Sequence, residues 1–579
     1  MSTLDVSGEG LAAPAEPRTL SRGTLVAAAF GVCVAQVALA IPAVLNGLFQ
    51  KDLGPTSAQL TWISDAFLVP VTLLELTFGV LGDLFGRKRL LVIGALMLAA
   101  GQTIGVLTPG PGSSTGTRVL VLWSGQILAG VGAAAIFPTT LAMVAAGTHT
   151  ARDRSRGIAI WAGALSAGGF VSPVLGGWLA RYKFGSDQYA SWRWAFVVVV
   201  VLAVISAIVS LLFAQNSSAP AGRSLDWPGQ VTIAVALFAL LYAVIQGPTS
   251  GWGSGKVIAG FVLAAVFFAA FIAAERRCAA PLLRLDLFAN RAFAVAAIAT
   301  VFGMFAMLGT AYATSIRLSA IQGFTPLRTS IAFVLLNGMA LLLVPLTSRV
   351  LERYQPRWIL GTGFALIGAG DFWLSALHAS DMSVAPVIIP LLIVGVGFAL
   401  ALNAVTAVAV NTVPNHLAGM ASGATSMLRD FGFTLGPAVV GAVALSRAAA
   451  GISHALNTNP GLARALAAFN SSAAHAPAAQ RPAVEAAIGA VNSGPLGANA
   501  VPARITAPGG RTVPFNPLKD VAFHALDHAY SIGYIVCGAS AVCAALLALV
   551  VLGGRARAAM VTEEPTEEPS GSPATGRAR

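Results

Sequence analysis

GVLGDLFGRKR, residues 79–89, follows a stretch from Ala66 to Phe78 that is apolar apart from two threonines and Glu75. A second apolar run starts at Leu90. A helix greasy enough for a membrane therefore runs into a tight cluster of one acid, glycines and three cations. Gly79, Gly82 and Gly86 permit a tight turn and close helix contact. Asp83 can accept hydrogen bonds from an arginine or a helix N-terminus. Arg87, Lys88 and Arg89 begin the next helix. Such a cluster can hold two helical bundles in one conformation and release them in another. A solvated turn is the plainer alternative, but cations alone would serve it without the Gly-Asp-Gly frame.

The rest of the chain has the same character. It has 579 residues, 56% of them hydrophobic and 10% charged, against about 25% charged in soluble domains. Apolar runs of about twenty residues recur throughout and predict an all-α polytopic membrane protein. They fall at 24–48, 60–81, 89–108, 118–146, 157–181, 193–214, 227–247, 256–274, 292–318, 327–350, 358–378, 385–413, 421–445 and 529–553, about fourteen spans. An even number puts both tails on one side. Most Lys and Arg outside 446–528 then lie on the tail side, so the positive-inside rule makes both termini cytoplasmic and the long loop 446–528 extracytoplasmic. The net charge of +12 is thus a topology signal, and nucleic acid is not an expected partner. Residues Met1 to Arg22 lack the pattern of a cleaved leader. Cys33, Cys278, Cys537 and Cys543 form neither a disulfide framework nor a metal set.

Small residues and a proline recur at one spacing. The fifth span holds Ala159, Gly168, Ser172, Pro173, Gly176 and Gly177, and the thirteenth holds Gly423, Gly432, Gly436, Pro437 and Gly441. Ordinary small-residue packing would account for either alone. Two copies point to duplication, with a central pathway between two pseudo-symmetric bundles. The expected domains are a tail 1–23, a six-helix bundle 24–214, two inserted helices 227–274, a second six-helix bundle 292–553 that includes the loop, and an acidic disordered tail 554–579.

Gly79, Gly82, Asp83, Gly86, Arg87, Lys88 and Arg89 resemble the signature loop of the major facilitator superfamily. Gly168, Ser172, Pro173, Gly176 and Gly177, with Gly432, Gly436 and Pro437 as the second copy, resemble its antiporter motif. Fourteen spans, Trp62-Ile63-Ser64-Asp65-Ala66-Phe67, Ser191-Trp192-Arg193-Trp194-Ala195-Phe196 and Pro281-Leu282-Leu283-Arg284 are similar to the drug:proton antiporter branch, in particular to exporters of quaternary ammonium compounds. The resemblance covers nearly the whole chain except the tails and 446–528. It implies a multi-pass transporter of the cell membrane that expels a small hydrophobic, cationic compound in exchange for a proton. The sequence does not name the oligomeric state, and a monomer is the default expectation. In that branch span one carries an aspartate upstream of a proline; here Pro42 is kept and Cys33 takes the acid's place. Span four carries an arginine before a Gly-x-Gly; here Gly130 and Gly132 are kept and Gln126 takes the arginine's place.

The acids within spans are the remaining coupling candidates. Glu75 lies about 12 Å deeper than Asp83 at 1.5 Å per residue, and an intramembrane acid is a functional site by default; a structural bond to a neighbouring helix is its alternative. Asp65 either contacts a cationic ligand or caps a helix N-terminus. Asp371 is of unknown face. Arg429-Asp430 is either an internal pair or an end feature. Gln36, Gln126, Asn403 and Asn411 either line a polar pathway or bond between helices. His524 and His528 lack a third ligand and predict no metal. Helix-like pieces at 461–469 and 480–491 stand in the long loop. No phosphate loop or nucleophile motif occurs, so neither enzyme chemistry nor a cofactor is expected and a gradient must drive transport. Two other readings stay open: a same-fold exporter of an endogenous lipid-like or secreted metabolite without proton coupling, and a transporter-like sensor or scaffold with the loop as its binding module.

Overall fold

A computed structural model describes residues 21–148, 151–185, 189–218, 225–278, 281, 283–411, 418–478, 480–506 and 512–551. Nearly all of its regular structure is helical, since a backbone in lipid must satisfy its own hydrogen bonds. The first half comprises α1 (Arg22–Ala40), α2 (Pro42–Leu53), α3 (Ser57–Phe85), α4 (Arg87–Val106), α5 (Thr115–Ala146), α6 (Ala151–Leu179) and α7 (Trp192–Phe213). A hairpin follows, α8 (Trp227–Ser250) and α9 (Gly255–Glu275). The second half begins with α10 (Arg291–Ser315), a π turn at Ile316–Ile321, α11 (Pro326–Leu342), α12 (Val344–Arg353), α13 (Pro356–Ser375), α14 (Ala385–Asn411) and α15 (Ala418–Thr458). It continues through α16 (Pro460–His475), α17 (Arg481–Asn492), α18 (Pro495–Ala500), strands β1 (Arg504–Thr506) and β2 (Thr512–Pro514), and α19 (Lys519–Leu546).

The halves repeat one packing scheme. Helix α1 packs on α5, α6 and α7, α4 on α5 and α7, and α3 on α5. In the second half α10 packs on α14, α15 and α19, α13 on α14 and α19, and α11 on α14. Two seams join the halves, α3 against α15 and α6 against α11, and the correspondence that maps one half onto the other exchanges them. The hairpin breaks this symmetry. Helix α8 lies on both α3 and α15, where Gln230 Nε2 donates to Leu73 O at 2.6 Å and Thr77 Oγ1 donates to Gln230 Oε1.

Among the described residues, twelve helices are long and apolar enough to cross a membrane, where the apolar runs predict about fourteen. The expected span 327–350 breaks at Leu343, leaving 17 residues in α11 and an amphipathic α12 with Arg349 and Arg353. The expected span 358–378 falls on α13, whose apolarity is diluted by its glycines and by Asp371.

The expected loop 446–528 is mostly helical. Helix α15 runs on to Thr458, because Ile452 and Leu456 of its extension join a small separate core with Phe469, Val491, Val501 and Leu518. Helices α16 and α17 cover the helix-like pieces at 461–469 and 480–491. The two strands pair antiparallel, Arg504 with Pro514 and Thr506 with Thr512. This unit is the cap. Helix α3 gives the bundle two ends: Ser57 lies beside Gly494 of the cap, and Phe85 adjoins the Gly79–Arg89 loop.

Candidate functional site

Helix α3 carries the acids that matter most. Thr56 caps it, in a reciprocal box with Gln59, and Gly86 ends it at φ +100°, a conformation that favours glycine. At this loop end Asp83 and Arg87 are both buried. Arg87 Nη2 and Nε donate to Asp83 Oδ1 at 2.7 and 3.1 Å. The Arg87 backbone N–H donates to Ser217 O at 2.9 Å, and that of Lys88 donates to Asn216 Oδ1 at 3.3 Å. Gly82 packs beside Arg87 and Thr139, and Gly79 beside Pro138. The described contacts of the cluster thus tie α3 and α4 to α5 and to the chain just after α7. Lys88 is half-buried and Arg89 is exposed.

Two turns deeper, α3 meets α15 across the first seam. Thr72 Oγ1 donates to Asp430 O at 3.1 Å and lies 2.8 Å from Thr434 Oγ1. Arg429 Nε and Nη2 donate to the Asp430 carboxylate at 2.9 and 3.3 Å, so this is an internal pair. The buried Glu75 carboxyl stands against both members of the pair, and its Oε2 has no hydrogen-bond partner. Two carboxyls and one guanidinium therefore share one buried site built from both halves.

Asp65 is wholly buried on α3 near the Tyr312 hydroxyl, and neither of its carboxyl oxygens has a hydrogen-bond partner. It sits more than two turns inside the helix, so it does not cap the N-terminus. Thr61 Oγ1 lies 2.8 Å from Tyr312 Oη, again bridging α3 to the second half. Gln36 on α1 packs against Gly168 and Gly169 of α6. Gln126 is buried between α4 and α5, where it accepts from Gln102 Nε2 at 3.2 Å; it bonds between helices of the first half. Asp371 is buried in the second half, accepts from Thr310 Oγ1 at 2.5 Å and adjoins Cys537 and Tyr534 of α19. Asn403 and Asn411 lie on α14, with side chains outside the described residues. Glu75 is thus brought to Arg429 and Asp430, while Gln126 and Asp371 stay within single halves. Tyr312, Thr72 and Thr434 were not expected at the site; hydroxyls in apolar runs give no sign of which neighbour they meet.

The small-residue helices act as a pair. A Cβ on Gly168 would stand 2.5 Å from Cys33 O and 2.8 Å from Gln36 Cβ. One on Gly432 would stand 2.6 Å from Val301 O and 3.2 Å from Met304 Cβ. Ser172 Oγ donates to Val37 O at 3.0 Å, and a Cβ on Gly436 would stand 2.7 Å from Phe305 O. Val301, Met304 and Phe305 follow Cys33, Gln36 and Val37 at one common offset. Beyond these contacts, Gly176 meets Ile41 and Val44, and Gly177 meets Leu327 of α11 across the second seam. Pro173 and Pro437 lie inside α6 and α15.

Sequence comparison agrees with this architecture. The chain is 32% identical over 422 residues to multidrug resistance protein Stp of Mycobacterium tuberculosis (strain CDC 1551 / Oshkosh), covering 72% of this chain and 75% of that protein. It is 29% identical over 429 residues to the tetracenomycin C resistance and export protein of Streptomyces glaucescens, covering 73% and 76%. It is 28% identical over 423 residues to puromycin resistance protein pur8 of Streptomyces alboniger, covering 72% and 79%. The fold is similar to that of a bacterial homolog of the human lysosomal transporter Spinster in an inward-facing, unoccupied conformation, at TM-score 0.56 and 15% identity over 91% of this chain and 96% of that one. The profile of the Major Facilitator Superfamily matches residues 26–437, and the chain belongs to that family of membrane transporters.

Proposed function

We propose that the chain exports hydrophobic, cationic compounds across the cell membrane in exchange for protons, with both termini and the loop end cytoplasmic and Glu75 as the coupling acid. The observation that carries this is the shared site of Glu75, Arg429 and Asp430 on opposite halves. Two carboxylates and one guanidinium leave one negative charge in excess, and an uncompensated buried charge is costly. One proton removes the excess, and so does one cationic compound. A site that takes either, but not both, is what exchange requires. A proton moving inward across 100 mV supplies about 2.3 kcal/mol. The relatives' names, which speak of drug resistance and export, support the direction of transport.

The test uses purified protein in vesicles with ethidium as the cationic probe. Glu75→Gln keeps shape and hydrogen bonding but cannot ionise. It abolishes the pH dependence of ethidium transport with the fold intact, and Asp371→Asn does not. If Glu75→Gln vesicles still change lumenal pH on ethidium addition at the unmodified rate, the assignment is wrong and coupling rests on Asp65, Asp371 or Asp430, or is absent. One observation favours a second reading. Cys33 and Gln126 stand where the drug:proton antiporter branch that the chain resembles carries an acid and an arginine, which suits an endogenous lipid-like or secreted metabolite moved without protons. Unchanged drug accumulation in cells with and without the protein would favour that reading.

A further inference from the structure

The cap does more than lie over the bundle. Pro495, Leu496, Gly497, Ala498 and Asn499 of α18 are all buried, and Leu496 joins the main hydrophobic core. This single short helix packs on α2 and α3 of the first half and on the π turn, α15 and α19 of the second. Its polar contacts are directional. Asn499 Nδ2 donates to Ala320 O at 3.0 Å and to Ile321 O at 3.2 Å, both in the π turn. Lys519, at the start of α19, donates through Nζ to Asn499 Oδ1 at 2.9 Å. Asn516 Nδ2 donates to Ala498 O at 2.7 Å and to Val501 O at 3.0 Å.

The same π turn is where the halves close at this end. A Cβ on Gly47 would stand 2.6 Å from Ser319 O, Asn46 Nδ2 donates to Ser315 Oγ at 2.9 Å, and Ser315 Oγ donates to Ala43 O. Helix α18 therefore sits on the seal between the halves and is bonded to its second-half side. Beside it a cavity of about 560 Å3, lined among others by Ser57, Gln59, Trp123, Gln246 and Ser493, leaves room for movement. The cap's core includes Ile452 and Leu456 of α15 and Ala522 of α19, so the cap moves with the second half.

We propose that α18 is a plug in the exit at the cap end, that Asn499 is the positioning residue that seats it against the second half, and that each export cycle withdraws it from α2 and α3. The proposal rests on the reading of the chain as an exporter whose cap end faces outward. A plug tied to both halves in the closed state must lose one set of contacts when those halves part.

The experiment uses the full chain with its four native cysteines replaced by alanine. A Cβ on Gly494 would stand 3.6 Å from Ser57 Oγ, so the S57C/G494C pair locks the plug to α3 when oxidised. The oxidised protein in vesicles stops moving ethidium, and reduction restores transport. Equal transport before and after reduction overturns the plug. Gly494 stands at φ +126°, a conformation that favours glycine, so an inactive reduced protein is read against the S57C single variant: loss of transport in that variant too counts against the export reading, and in either case a second measurement decides the plug without any transport. In the S57C variant the buried position reacts slowly with an impermeant maleimide. Adding N499L, or separately K519M, which removes only the tether to α19, raises that rate on the order of tenfold, as expected for the loss of hydrogen bonds that hold a buried element. Unchanged rates in both variants overturn the proposal.

Discussion

At the scale of the residue, Asp83 and Glu75 are two turns apart on one helix and meet different partners. Among the described contacts Asp83 is held by Arg87 of its own half, and Glu75 reaches across a seam. Neutralising Asp83 leaves the buried Arg87 without its charged partner, and breaking a buried pair from one side costs more than the pair contributes. Asn can still accept a hydrogen bond, so Asp83→Asn is expected to reach the membrane in normal amount. Its transport falls roughly tenfold, because the substitution shifts the balance between two alternating states. Unchanged turnover at normal expression would leave the cluster as a topology anchor. The charges of this site were legible in the sequence, since an acid inside an apolar run is conspicuous. Their pairing was not. Arg429-Asp430 reads equally as an end feature, and only the packing of α15 on α3 puts it beside Glu75.

At the scale of the element, the glycine and proline spacing in α6 and α15 was readable, and its cause is close backbone contact. The neighbours of Gly436 are the Gly309 N and Phe305 O atoms, both 2.7 Å from a Cβ placed there, and backbone cannot swing aside as a side chain can. Gly436→Ala is expected to destabilise the second half by about 1–3 kcal/mol, seen as a lower melting temperature in detergent. Gly163→Ala on α6, where a Cβ meets nothing within 4 Å, leaves it unchanged; equal melting temperatures for the two variants would refute the packing account. The length of α15 was not readable. Its apolar pattern fades near residue 445, and the helix continues only because the cap supplies a second core for Ile452 and Leu456. The cap itself reads as a polar, alanine-rich loop, since its buried α18 is too short to show a period.

At the scale of the molecule, the repeat implies that corresponding helices of the two halves run the same course. That bears on α11 and α13, which fall short in length or apolarity. Helix α11 starts near Gly177 at the cap end and leads through α12 to Tyr354, which is exposed. Helix α13 ends at the cap end, where Gln322 Nε2, just past the π turn, donates to Ala379 O at 2.9 Å and Asp527 Oδ1 of α19 accepts from the Ala379 N–H at 2.8 Å. The repeat therefore predicts that both helices run the full distance between the ends. Between Tyr354 and Ser471, which is exposed on α16, the chain then crosses by α13, α14 and α15, an odd number of passages. Single cysteines tested one at a time, Ser471→Cys and Tyr354→Cys, with the native cysteines replaced by alanine, should differ. An impermeant maleimide added to intact cells labels the first at once and the second only after the membrane is opened. If both label from the same side, one of those three helices does not cross, and α13, the least apolar of them, is the one to abandon.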